Sequence, residues 1–175
     1  MAKGDTFFLR TTIESSGANY VSDNIDISAY TDPARGRVLV VDRCFITYST
    51  IGQGPLTYDN VATDGAVGSR QMGAQACSEK QTSLQELDNN SVFARSDLYM
   101  ANSATDVLST VTQSMALNPT HFVGGFIVPT DNIHVGADTG VAFATELDIG
   151  FLFEVHTEKL SLQRIQELLV SLTAN

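Results

Sequence analysis

The chain has 175 residues, 43% of them hydrophobic, which is enough for one sizeable core and short for two domains. Charged residues make up only 17%, and 20 acidic against 10 basic residues give a formal charge of −10. No Lys or Arg occurs between Arg95 and Lys159, the opening Met-Ala-Lys-Gly-Asp-Thr has no apolar signal core, and no run reaches the ~18 apolar residues of a membrane span, so extensive nucleic-acid contact, signal-led secretion and a transmembrane helix are not expected.

Ser and Thr supply 33 of the 175 positions, giving a surface that is polar but weakly charged. A Thr-rich β-protein looks like this, and so does a chain largely covered by neighbouring subunits, because charge is depleted at the centres of interfaces.

Residues 6–13 read as a first strand, with Phe7, Leu9, Thr11 and Ile13 on one face and Phe8 and Thr12 on the other. Ser15, Ser16, Gly17 and Asn19 turn the chain into an alternating Asn-Ile-Asp-Ile-Ser segment within residues 20–30, which Thr31-Asp32-Pro33 and Arg35-Gly36 end. Residues 37–48 form the next strand, apolar on both faces around Asp42 and Arg43, as in a sandwich interior or an interface. Cys44 and Cys77 lie in apolar runs without the close spacing of zinc or redox sites and read as buried free thiols, with a single disulfide as the alternative.

Residues 51–73 are rich in Gly, Asp and Asn, and one or two short strands with a projecting loop are expected there. Ser83-Leu84-Gln85-Glu86 fits a capping box and predicts a short helix stopped by Asn89-Asn90. Residues 91–101 are extended. Val107, Leu108, Val111 and Met115 suit a helix by spacing and a strand by composition, so both assignments stay open. Residues 121–128 form an apolar run ended by Pro129, Ile133-His134-Val135 a short strand, and residues 136–140, Gly-Ala-Asp-Thr-Gly, a turn.

The clearest element spans residues 146–156. Leu147, Ile149, Phe151, Phe153 and Val155 occupy every second position, with Glu146, Asp148, Glu154 and His156 between them, the period of a half-buried strand. A helix follows, with Ser161 as N-cap and Leu160 and Ile165 as a hydrophobic staple. Its apolar stripe is Leu162, Ile165, Leu168, Leu169 and Leu172, expected to serve assembly. About 11 residues of helix are marginal alone in water, so this one docks on its own sandwich, on a neighbouring subunit or on a membrane. Eight or nine short strands without βαβ alternation predict an all-β sandwich in a single domain, residues 1–157 forming the sheets and 158–175 the C-terminal helix.

Catalytic and metal motifs are missing. His121, His134 and His156 stand far apart, and Asp148, Glu154 and His156 on one strand face cannot converge on an ion, so that face is solvated or lies at an interface. Residues 60–65 faintly match a calcium loop but supply too few carboxylates. No nucleophile elbow or phosphate loop occurs, so no enzymatic activity, cofactor or metal is expected.

Three features together carry a family resemblance. They are Ile-Asp-Ile-Ser-Ala-Tyr with a Pro turn before a long apolar strand, Phe-Ile-Val-Pro-Thr-Asp-Asn-Ile-His-Val-Gly, and a final strand leading to a helix. The chain resembles the single jelly-roll major capsid proteins of small tailless icosahedral viruses, particularly those of prokaryotes. The resemblance implies an eight-stranded antiparallel jelly-roll sandwich with a short C-terminal α-helix, tiling a virion shell with copies of itself after synthesis in the host cytoplasm. Other capsid or minor virion proteins and an internal membrane stay open as partners. The basic arm that many such proteins carry is missing, which suits a shell without extensive direct nucleic-acid contact. The competing reading is a β-sandwich binding module for carbohydrate or for a protein partner, against which the absence of Trp weighs.

Overall fold

A computed structural model describes residues 5–61, 68–104 and 107–172. Among the described residues nine strands form two antiparallel sheets. They are β1 (Phe7–Glu14), β2 (Val21–Asp26), β3 (Arg37–Thr50), β4 (Ser69–Cys77), β5 (Val92–Ala104), β6 (Val107–Leu117), β7 (Phe126–Val128), β8 (Asn132–Thr139) and β9 (Leu147–Lys159). A short helix α1 (Tyr58–Val61) follows β3, and α2 (Leu162–Leu172) ends the described chain. The sheet orders are β1-β9-β3-β7 and β2-β8-β4-β5-β6. β1 to β4 and β7 to β9 alternate between the sheets, and β4 and β5 form a hairpin within one sheet between these two runs, which is the winding of a jelly roll. The ninth strand beyond the expected eight is β6, hairpinned onto β5, so the stretch left open between helix and strand is a strand.

β9 is central because it pairs on both sides, Phe153 with Leu9 and with Cys44. Leu147, Ile149, Phe151, Phe153 and Val155 are all buried, as their period predicts. Burying five such side chains contributes roughly 10 kcal/mol gross, at about 2 kcal/mol each, before chain entropy is subtracted. Phe93 from the facing sheet stacks on Phe126 with centroids 4.8 Å apart and meets Phe153 edge-on at 6.1 Å. Polar side chains also tie the layers: Tyr48 donates to Ser96 O (3.0 Å), Gln113 to Ile46 O (2.7 Å) and Asn118 to Cys44 O (2.6 Å). Both cysteines are free and buried.

Several sequence expectations need correction. Residues 83–86 form no helix, because their main chain is already engaged by neighbouring strands. Buried Gln75 donates to Ser83 O (2.8 Å) and accepts from Gln85 N (2.8 Å), and Arg95 donates to Gln85 O (2.9 Å). Residues 136–140 are not a turn either, since β8 runs through to Thr139. Gly136 is a close approach: a Cβ there would lie 2.0 Å from the Tyr20 hydroxyl, which crosses the strand.

The strand expected within residues 20–30 stops at Asp26, and Ile27 O then accepts from Tyr30 N and Thr31 N. Only Phe126–Val128 of the 121–128 run is extended. Ahead of it a 3-10 turn at Pro119–His121 is capped by Asn118, and Gly124 and Gly125 have φ of 83° and 84°. In the 51–73 region the described residues carry α1 and the start of β4 rather than extra short strands. Asn60 and Val61 are buried there, Asn60 bonded to Thr57 N and Thr145 Oγ1, and residues 62–65 of the supposed calcium loop lie outside the described residues.

Candidate assembly surface

β3 opens with four consecutive side chains, Val38, Leu39, Val40 and Val41, all fully buried. Successive strand residues point to opposite faces, so Leu39 and Val41 enter the sandwich while Val38 and Val40 point away from it and need a second cover. That cover is α2. Ile127, opposite Val40 in the β3–β7 register, lines a groove of about 460 Å³ together with Arg164, Leu168 and Leu172, which lays the helix across the outer face.

The predicted cap and a backbone bond just ahead of it position the helix. Ser161 Oγ accepts from Arg164 N at 3.2 Å, and Leu160 N donates to Gly36 O at 2.8 Å. Gly36 sits at φ 84° with Leu160 O where a Cβ would stand, so only glycine allows this fastening. At the far end Asn90 Nδ2 donates to Ser171 O at 3.0 Å.

The predicted stripe divides in two. Ile165 and Leu172 are 3% and 7% exposed and face the sheet, with Leu168 partly buried beside them. Leu162 and Leu169, 53% and 38% exposed, stay on the helix flank with Val170. Of the three docking sites left open by the sequence, the chain's own sandwich takes the inner half, and the outer half stays accessible. Across the groove, Val123 is fully exposed ahead of Gly124-Gly125.

Beyond the helix, the outer face of the four-stranded sheet mixes apolar and charged groups in register. Arg10, Leu152 and Phe45 form one row and Phe8, Glu154 and Arg43 the next, with Arg43 3.6 Å from Glu154. Phe8 and Phe45 are about half exposed.

The face carrying Asp148, Glu154 and His156 does not gather these residues. Asp148 accepts from Gly52 N at 3.0 Å, and Glu154 pairs with Arg43. His156, expected to be solvated or at an interface, is 1% exposed. Its Nδ1 lies 2.6 Å from Asp42 and its Nε2 3.3 Å from Glu158. A β-bulge between Val41 and Arg43 leaves Asp42 without an opposite residue and swings it beside the imidazole. No period in the sequence announces that bulge, which is why the cluster was missed. Among the described residues no group of three His, Cys, Asp or Glu could hold a metal ion.

Charge is unevenly distributed over the described residues. The elements of the four-stranded layer, taken with the 3-10 turn at Pro33–Arg35 and α2, hold six basic residues (Arg10, Arg35, Arg37, Arg43, Lys159, Arg164) and six acidic ones (Glu14, Asp42, Asp148, Glu154, Glu158, Glu167). All other described residues hold three basic groups, Arg70, Lys80 and Arg95, against twelve acidic ones. The five-stranded sheet itself holds four of these acidic residues (Asp23, Asp26, Asp97, Asp138) and two of the basic ones (Arg70, Arg95), so most of the excess negative charge sits on the loops.

No family model matches the sequence, and no curated protein matches it. Solved structures do. VP1 from the unassembled KI polyomavirus pentamer is 8% identical, with 89% of this chain and 95% of that chain covered, at a TM-score of 0.51. The fold is the viral jelly roll. A chain of Desmodium yellow mottle tymovirus is 14% identical over 90% of each chain at a TM-score of 0.34. VP1 of Trichodysplasia spinulosa-associated polyomavirus, in complex with sialylated glycooligomers, is 8% identical over 89% of this chain and 95% of that one at 0.48. These neighbours come from polyomaviruses and a tymovirus, and the narrower expectation of prokaryotic viruses finds no support among them.

Proposed function

We propose that the chain is a viral structural protein, a major capsid protein whose copies self-assemble into an icosahedral shell. The observation that carries this reading is the uneven surface of a jelly-roll sandwich. The four-stranded layer with α2 is charge-balanced and exposes Phe8, Phe45, Leu162 and Leu169, while most of the net negative charge sits on the loops. Subunits that tile a shell need a surface they can bury at little electrostatic cost, and the first layer offers it. The acidic loops stay in solvent, keep the shell soluble and hold it off a genome that it does not touch directly. Its partners are then copies of itself and its place is the virion. The identification with prokaryotic viruses rests on the sequence segments alone. The reading assigns no catalytic step. Negative-stain microscopy of the purified chain tests it: closed particles are expected, and a field of isolated 18.8 kDa subunits at every concentration and salt overturns it.

One observation favours a second reading, a carbohydrate-binding module. A groove of about 460 Å³ on the five-stranded sheet is lined by Gln71, Arg95, Asp97, Tyr99, Thr112 and Asp138. A half-exposed aromatic ring among hydrogen-bonding groups suits a polyol. Saturation-transfer NMR against a panel of neutral and sialylated oligosaccharides decides it, since loss of the signal in Tyr99→Ala would assign the groove and no signal at all would remove the module.

A further inference from the structure

The two sheets present four edge strands, and three of them are blunted. β1 carries Arg10 and Glu14, β2 carries Asp23 and Asp26 in six residues, and β7 is only three residues long. The fourth, β6, is eleven residues long and reads VLSTVTQSMAL, with no charge, no proline and no glycine. A free edge is a row of unpaired amide and carbonyl groups, and natural sheets protect it with charge, proline or brevity. Among the described residues β6 pairs only with β5, and no other segment's main chain bonds to it. Val111 is 48% exposed in the middle of it.

The surroundings agree. No Asp, Glu, Lys or Arg occurs from Val107 to Thr130, and this run builds both β6 and β7, which end the two sheets on the same side of the sandwich, opposite the β1–β2 corner. On a molecule with a charge of −10, β6 and β7 themselves present no carboxylate to a second copy, the nearby acid being Asp59 of α1, which lies close to β6.

We infer that the free edge of β6 pairs antiparallel with β6 of a second copy about a two-fold axis, joining two five-stranded sheets into one of ten strands. This contact deepens the assembly reading and rests on it. An isologous antiparallel pair places like faces together. Thr110, Thr112 and Ser114 line one face of the joined ladder, where hydroxyl side chains hydrogen-bond across strands. Asp97, opposite Ser114 on β5, lies three strand spacings from its symmetry mate, about 14 Å at ~4.8 Å per strand. That exceeds the ~8 Å screening length at physiological salt, so its repulsion is weak.

Charge-swap sedimentation tests the pairing. Thr112→Lys and Thr112→Glu, each checked for native circular dichroism and melting, should weaken self-association by about tenfold when alone, and an equimolar mixture should restore it. Single-cysteine variants at Thr110, Thr112 and Ser114 supply a readout independent of charge, with the one nearest the axis giving a disulfide-linked dimer under mild oxidation. Folded Lys and Glu variants that associate like the unsubstituted chain, with no cross-link at any position, overturn the edge pairing and leave assembly through another surface standing. An unsubstituted chain that is monomeric throughout removes both.

Discussion

His156, Gly136 and Gln75 each hold a structural role that no local pattern states. Gln75 is fully buried in β4 and bonds both Ser83 O and Gln85 N, so Gln75→Leu should leave those main-chain groups unsatisfied and cost about 1–3 kcal/mol. Urea unfolding measures this, and an unchanged midpoint would mean that the 83–85 segment finds its partners elsewhere. Gly136→Ala should cost a similar amount, about 1–3 kcal/mol, by driving the Tyr20 ring off the strand.

The cysteines begin the alkaline pH dependence, and burial raises the Tyr20 and Tyr48 hydroxyls in the same direction at higher pH. Burial holds the Cys44 thiol far above its ordinary value near 9 and pushes Cys77 up to about 12, partly offset by its hydrogen bond to Ser91. Above about pH 9 the unfolded chain therefore releases thiol protons that the folded chain keeps. Stability from these groups is complete below that pH and declines as pH rises towards 12. Melting temperatures should fall between pH 9 and 11 and fall less in a Cys44→Ala, Cys77→Ala variant, whereas equal declines would show that other groups govern alkaline unfolding.

At the scale of elements, β9 and α2 were legible because each repeats one local rule, alternation in the strand and a cap, staple and three-four spacing in the helix. The false helix at 83–86 satisfied an equally local rule and lost to side chains from β4 and β5. The turn expected at 136–140 failed for a related reason, since its first glycine answers to the distant Tyr20 ring. Five stripe residues of α2 were likewise visible, but not their division into inner and outer halves, which depends on Val38 and Val40 beneath them.

That division is testable. Ile165→Ala should cost about 2–4 kcal/mol as a buried large-to-small change, whereas Leu162→Ala should cost under about 1 kcal/mol and instead weaken assembly. Comparing melting with particle yield separates the roles, and a large stability loss from Leu162→Ala would place that side chain in the core. Truncation after Lys159 uncovers Val38 and Val40, so the shortened chain should melt well below the full one. Unchanged melting would contradict α2 as the cover of that face.

For the whole molecule, the jelly-roll winding was foreseen from strand count, turn spacing and the family resemblance, but the separation of charge was not. Arg10, Arg43 and Arg164 are scattered in sequence, and only the pairing of β1, β9 and β3 with α2 laid above them gathers them on one layer. With twelve acidic groups against three on the remaining described surface, nucleic-acid binding should be weak at physiological salt, as a filter assay would show.

Self-association should instead strengthen with salt, because shortening the screening length from ~8 Å at 0.15 M to ~3 Å at 1 M removes repulsion between acidic subunits while leaving apolar burial intact. Light scattering of the purified chain across concentration and salt tests assembly most directly. The expected result is a mass many times 18.8 kDa that grows with salt, and a constant 18.8 kDa under all conditions would contradict it.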